Sequence, residues 1–223
     1  METIPAHLRR TIHAFTTDIW DGYLNAADEF VAEHDDIDCD LVIDRFHLAK
    51  KYRDAFDTLR KQECKRLKSA LSEEAYAQVG KGMLWILRKN HCDLSPEERV
   101  RLRTLFNHAP LVHNAYSFRE ELTAIFNRHT TVAEAEIAIR AWIRKVEASA
   151  LTCYNPFIKT LRRYWTFILN YFKQRLSSGF VEGLNNKIKT IKRRCYGIHK
   201  PVTLFQRIWL DLQGRRRFFL STP

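Results

Sequence analysis

The chain has 223 residues and carries 37 Lys and Arg against 26 Asp and Glu, a formal charge of +11. With 45% hydrophobic residues it can bury a core, as one large domain or a small domain with a big insertion. So basic a chain attracts polyanions, and no apolar run approaches the roughly 20 residues of a membrane span, which sets aside a transmembrane protein and leaves nucleic acid as the expected partner.

Residues 13–18 form a short β-capable segment that ends at Asp18. Residues 20–31 follow with apolar side chains at helical spacing, then an acidic turn over 33–38. Leu41, Val42 and Ile43 make a continuous aliphatic run closed by Asp44, the pattern of a buried strand in a mostly parallel sheet. The first fifty residues therefore read as strand, helix, strand, each strand ending in an aspartate.

From Phe46 the period changes. Leu48, Tyr52, Ala55, Phe56 and Leu59 recur at three and four residues, as do Ala75, Val79, Met83, Ile86 and Leu87. Ser95-Pro96-Glu97-Glu98 is a helix start, with a capping serine, proline at the first position and acids at the positive end of the dipole. Helical stretches follow over 111–126, 132–146 and 157–176, with boundaries at Thr130-Thr131 and Asn155-Pro156. No strand is needed between about residue 46 and residue 176. After Ser177-Ser178-Gly179 a last helix places Leu184, Ile188 and Ile191 on one face. A break at Cys195-Tyr196-Gly197, an amphipathic stretch over 202–212 and the closing Arg215-Arg216-Arg217-Phe218-Phe219 complete the chain. The expected organisation is 1–47, 48–176 and 177–223.

Three constellations could carry chemistry. Asp18, Asp44 and Glu182 could converge on hard divalent cations, which prefer oxygen ligands, although most acidic residues are solvated surface charges. In Asp44-Arg45-Phe46-His47 a histidine follows a strand-end carboxylate by three residues, either as a metal pair or as a structural hydrogen bond. The run of Lys187, Lys189, Lys192, Arg193 and Arg194 is nearly all of one sign, and beyond Glu182 the only acidic residue is Asp211. Such a density of cations favours phosphate binding over inert solvation, without any sign of base-specific reading. The five cysteines sit at no metal-finger spacing and the N-terminus lacks the layout of a signal peptide, so reduced thiols in the cytoplasm are expected.

The string Ser178-Gly179-Phe180-Val181-Glu182-Gly183-Leu184-Asn185-Asn186-Lys187-Ile188-Lys189, with Lys192-Arg193-Arg194-Cys195-Tyr196-Gly197, resembles the C-terminal signature of the ISL-three family of insertion-sequence transposases. Asp44-Arg45-Phe46-His47-Leu48 with Arg60 and Glu63, and Thr17-Asp18-Ile19-Trp20-Asp21-Gly22-Tyr23, resemble two further blocks in the family's order. The resemblance implies a DDE enzyme: an α/β, ribonuclease-H-like core with a large all-helical insertion before the last acidic residue, mostly helical overall. It implies cleavage and strand transfer of transposon-end DNA with Mg²⁺ (or Mn²⁺) held by Asp, Asp and Glu, and action on target DNA as a homo-oligomer. Glu182 takes the place of the third carboxylate, and the five basic residues from Lys187 to Arg194 position phosphates. In one alignment Asp18 is the second aspartate, shares metal with Glu182, and Asp44 with His47 forms a D-x-x-H motif. The first aspartate and the first strands would then lie upstream of a chain that is a C-terminal part with little strand transfer of its own. In the other, Asp18 and Asp44 are themselves the two aspartates. Two other readings are a non-catalytic DNA-binding remnant or regulator, and a helical protein-interaction module with a basic tail.

Overall fold

Strand β1 (Ala14–Thr17) and strand β2 (Asp40–Ile43) pair in parallel in a computed structural model describing residues 4–34, 37–149, 151–195, 198 and 200–218. Ala14 faces Asp40 and Thr17 faces Ile43. A parallel pair cannot be closed by a tight turn and needs a crossover. Helix α2 (Asp21–Ala32) supplies it, burying Leu24, Ala27 and Phe30 along one stripe. Phe30 meets Phe15 of β1 edge-to-face at 5.8 Å. The expected strand–helix–strand start is thus present, preceded by a four-residue helix, α1 (Ala6–Arg9). Asp35 and Asp36 of the acidic turn lie outside the described residues.

Everything else among the described residues is helical or irregular, so the chain is mostly helical with one small parallel sheet. Helix α3 (Arg45–Ala70) runs 26 residues, about 39 Å at 1.5 Å per residue. It buries Leu48, Tyr52, Phe56, Leu59, Glu63 and Leu67 at steps of three and four, the stripe expected of a core-facing helix. There follow α4 (Glu73–Gly80), α5 (Met83–Arg88), α6 (Pro96–His108), α7 (Pro110–Asn127) and α8 (Val132–Ala148). The apolar series from Ala75 to Leu87 is interrupted where Gly82, at φ 75°, takes the left-handed conformation that separates α4 from α5. Helices α6 and α8 both start with complete capping boxes, Ser95 with Glu98 and Thr131 with Glu134.

The core centres on Trp142, whose ring packs edge-on against Phe118, Tyr154 and Phe157. Its buried polar handles are satisfied: Trp142 Nε1 donates to the Phe118 carbonyl at 2.8 Å, and the Tyr154 hydroxyl to that of Ala115 at 2.8 Å. Burial pushes the Tyr154 phenol far up from its ordinary value.

The helical stretch expected over 157–176 divides into three helices: α9 (Asn155–Arg163), α10 (Trp165–Leu169) and α11 (Tyr171–Gln174). The aromatic and β-branched run Tyr164, Trp165, Thr166, Phe167, Ile168 is a poor helix former. Tertiary bonds fix both joints: Tyr164 donates to Asp21 at 2.7 Å, and the Asn170 amide to the Leu41 carbonyl of β2 at 2.9 Å. The helical segment before residue 176 thereby returns to the β-α-β start, and α10 packs against β2.

The chain divides into two compact units, Met1–Leu176 and Ser177–Pro223. In the second, α12 (Gly179–Arg194) and α13 (Pro201–Phe218) pack together, with Lys187 and Asp211 paired at 3.1 Å. The expected amphipathic stretch over 202–212 lies within α13. Tyr196, Gly197, His199 and Phe219, and the side chains of 215–218, lie outside the described residues. No helix among the described residues is long and apolar enough to cross a membrane.

Candidate carboxylate site and basic helix

Asp18 and Asp44 each follow the last residue of a parallel strand, so the strand pairing carries them to the same edge of the sheet. The ladder extends one step further there, with Asp44 N–H donating to the Thr17 carbonyl at 2.9 Å. Ligand sites in open parallel sheets lie at this carboxyl edge. The sheet brings these two aspartates together; Glu182 belongs to the other unit.

Asp44 is 1% exposed and is the N-cap of α3: its Oδ1 accepts the Phe46 N–H at 2.8 Å. Helix α3 then places His47 in its first turn, back over the strand ends. His47 Nδ1 lies 3.1 Å from Asp18 Oδ1 and 3.9 Å from Asp44 Oδ2. The 3.1 Å approach is not aligned as a hydrogen bond, and this buried nitrogen has no hydrogen-bond partner. Buried polar atoms are almost always satisfied, so a ring nitrogen that faces two carboxylate oxygens without an aligned hydrogen bond could either pair with Asp18 or share a cation with it. Asp18 remains half exposed, at 53%, so the edge is open to a ligand.

The surroundings hold this corner in place. Arg45 donates to the Asn127 side chain and, at 3.3 Å, to the Tyr171 hydroxyl, with its guanidinium near the Phe126 and Tyr171 rings. Asp21, at the start of α2, takes Tyr164 and Arg163. The sequence reading assigned neither residue this tethering role: only their partners, over eighty residues away along the chain, reveal it.

In the second unit Glu182 stands in the exposed first turn of α12. Leu184 and Ile188 are half-buried and Ile191 is buried, as the one-face reading anticipated. Lys187, Lys189, Lys192, Arg193 and Arg194 are all exposed. Three of them occupy the last turn of α12, where cations also complement the helix dipole.

Comparison with known proteins places this frame. A family model described as "Transposase", that of the ISL3 (ISL-three) type, matches residues 1–208. The chain belongs to this family of insertion-sequence transposases. It is similar to the transposase for insertion sequence element IS1001 of Bordetella parapertussis, 28% identical over 217 residues that make up 97% of this chain and 51% of that protein. It is also similar to the transposase for insertion sequence element IS1557 of two Mycobacterium tuberculosis strains, 26% identical over 136 residues, 61% of this chain and 30% of each relative. The chain thus spans about half the length of the first relative and less of the others. No solved structure matches it.

Proposed function

We propose that this chain carries the later part of a ribonuclease-H-like catalytic core of an insertion-sequence transposase, acting on transposon-end and target DNA by metal-assisted phosphoryl transfer. The observation that carries the reading is the strand-end corner, where Asp18, Asp44 and the unsatisfied His47 nitrogen face one another. Asp18 acts as the second aspartate of the triad and Asp44 with His47 as the D-x-x-H element. Asp44, already committed to capping α3, fixes the start of the helix and with it the histidine. Glu182, by the family signature around it, is the third carboxylate.

By the family's triad, Asp18 and Glu182 are the residues assigned to hold a divalent cation, Mg²⁺ or Mn²⁺. Such a cation would supply charge neutralisation at the phosphate and activation of the attacking oxygen. The protein's own share is positional. Asp18 and His47 present their donor atoms from two elements locked by the sheet pairing, and the cations of α12 hold flanking phosphates. Only two of the three carboxylates of the triad, Asp18 and Glu182, are assigned in this reading, so we expect weak strand transfer from the chain alone, and assembly into a homo-oligomer is what the family resemblance implies.

The test is a labelled transposon-end duplex incubated with the purified chain and Mn²⁺ or Mg²⁺. Expected are salt-dependent binding that weakens when Lys187 and Arg193 are changed to Gln, and no more than trace nicking. Efficient metal-dependent nicking would refute the reduced activity. Binding that ignores both salt and these substitutions would refute the DNA role and favour a protein-interaction module. A purely regulatory DNA-binding role, which the basic helix alone would support, predicts DNA binding without any response of Asp18 to metal.

A further inference from the structure

Helix α3 has a second face that the carboxylate corner does not use. Phe46, Lys50, Arg53 and Arg60 fall at steps of four, three and seven, on one side of the helix over about 21 Å. Together with Leu84 and Arg88 of α5 they wall a cleft of about 350 Å³, with Arg119 also lining it. Two acids line it as well, but Asp57 is taken by Arg60 at 2.6 Å and Lys61 at 3.2 Å, leaving Asp54. Lys50, Arg53 and Arg88 form no ion pair among the described residues. Instead, Arg53 lies 5.7 Å over the Phe46 ring and Arg88 5.7 Å over that of Trp85.

Three cations against one free carboxylate, Asp54, leave the cleft net positive and suited to an anion. Phe46 supplies the second feature: an apolar ring that is 53% exposed, edge-on to His47 at 5.5 Å. A basic groove with a half-exposed aromatic ring at one end is how proteins hold single-stranded nucleic acid, phosphates on the cations and a base on the ring. The volume is near the lower end of small-ligand sites, about 300 Å³, too small for a duplex. The aromatic end of the cleft adjoins His47 of the carboxylate corner through the Phe46 ring.

We infer that the cleft between α3 and α5 binds a single-stranded stretch of DNA, with Lys50, Arg53 and Arg88 on its phosphates and a base against Phe46. The inference rests on reading the neighbouring corner as a DNA phosphoryl-transfer site, and it adds a strand-binding subsite built from the helical region.

The experiment is fluorescence anisotropy on the full chain, with a labelled oligo-dT and with a hairpin duplex of equal phosphate number, over a range of salt. The triple variant Lys50→Gln/Arg53→Gln/Arg88→Gln should weaken oligo-dT binding at least tenfold and lower its log–log salt slope by about 2, at roughly 0.7 per phosphate, while duplex binding changes little. Phe46→Leu, which keeps an apolar side chain but removes the ring, should weaken oligo-dT binding by at least about fivefold, the lower bound for one stacked base. If the triple variant does not fold, as judged by circular dichroism, Arg88→Gln alone should still lower the slope by about 0.7. Unchanged oligo-dT affinity and slope in these variants, with wild type binding well, would overturn the cleft and leave the transposase reading intact. Equal losses on duplex and single strand would also overturn it. Wild type binding neither DNA would remove both.

Discussion

Replacing Asp44 by asparagine and, separately, by alanine divides its helix-capping role from its charge. The side chain is buried, with Oδ1 on the Phe46 N–H at 2.8 Å and Oδ2 3.9 Å from His47 Nδ1. Asparagine caps as well as aspartate, so Asp44→Asn loses only the charge at the helix N-terminus, roughly 0.5 kcal/mol. Asp44→Ala loses the cap as well, a further 1 kcal/mol or so, for a total near 1.5 kcal/mol. At about 2–4 °C per kcal/mol for a chain of this size, the melting temperature should fall by about 1–2 °C for Asn and about 3–6 °C for Ala. Metal gives the second axis. A cation at a hundred times its dissociation constant stabilises the site by about 2.7 kcal/mol, or roughly 5–11 °C. Both variants should lose much of that rise because they remove charge beside His47. The assay is differential scanning fluorimetry with and without Mn²⁺, with Asp18→Asn alongside. If Asn and Ala melt together, the cap contributes nothing. If Asp44→Asn and Asp18→Asn both keep the full Mn²⁺ rise, the corner is not a metal site.

Two further outcomes follow from the helical region. Arg119 is 3% exposed and donates to the Leu87 carbonyl, to the Lys89 carbonyl at 2.5 Å and to Glu120 at 2.6 Å, so Arg119→Met strands these acceptors and should cost about 3–5 kcal/mol in urea unfolding; a loss under 1 kcal/mol would show that the guanidinium is not what closes α5 onto α7. The Arg60 guanidinium, by hydrogen bonding, holds the Asp57 carboxyl below its ordinary range. A carboxyl depressed in the folded state adds stability that is present above its unfolded value of about 4 and is lost as pH falls through the folded one. Asp57→Asn should therefore flatten the acid limb of the stability curve below about pH 4 and leave its slope near neutrality unchanged, read by thermal melts across pH; an acid limb identical to wild type would refute it.

The elements were legible where pattern and local chemistry agreed. Continuous aliphatic residues between charges gave β2, Ser95-Pro96-Glu97-Glu98 gave the start of α6, and the steps of three and four gave α3. They failed where distant bonds outweighed propensity. Nothing near Tyr164 says that its hydroxyl will bond Asp21, nor near Asn170 that its amide will reach Leu41, yet these bonds accompany the breaks between α9, α10 and α11.

The candidate site shows the same division between local and distant information. That Asp18 and Asp44 end their strands is readable residue by residue, because each closes a β-capable run. Their shared edge follows only if the strands are parallel neighbours, and an intervening helix of twelve residues makes that the economical connection. The orientation of His47 needed one more step: Asp44 had to be the cap, because the cap sets where the first turn of α3 begins and so which way the third residue after it points. A helix starting one residue later would rotate the ring by about 100°, away from Asp18. The D-x-x-H spacing is therefore a geometric requirement: it lets one carboxylate both end a strand and start a helix, with the histidine delivered to the neighbouring strand's aspartate.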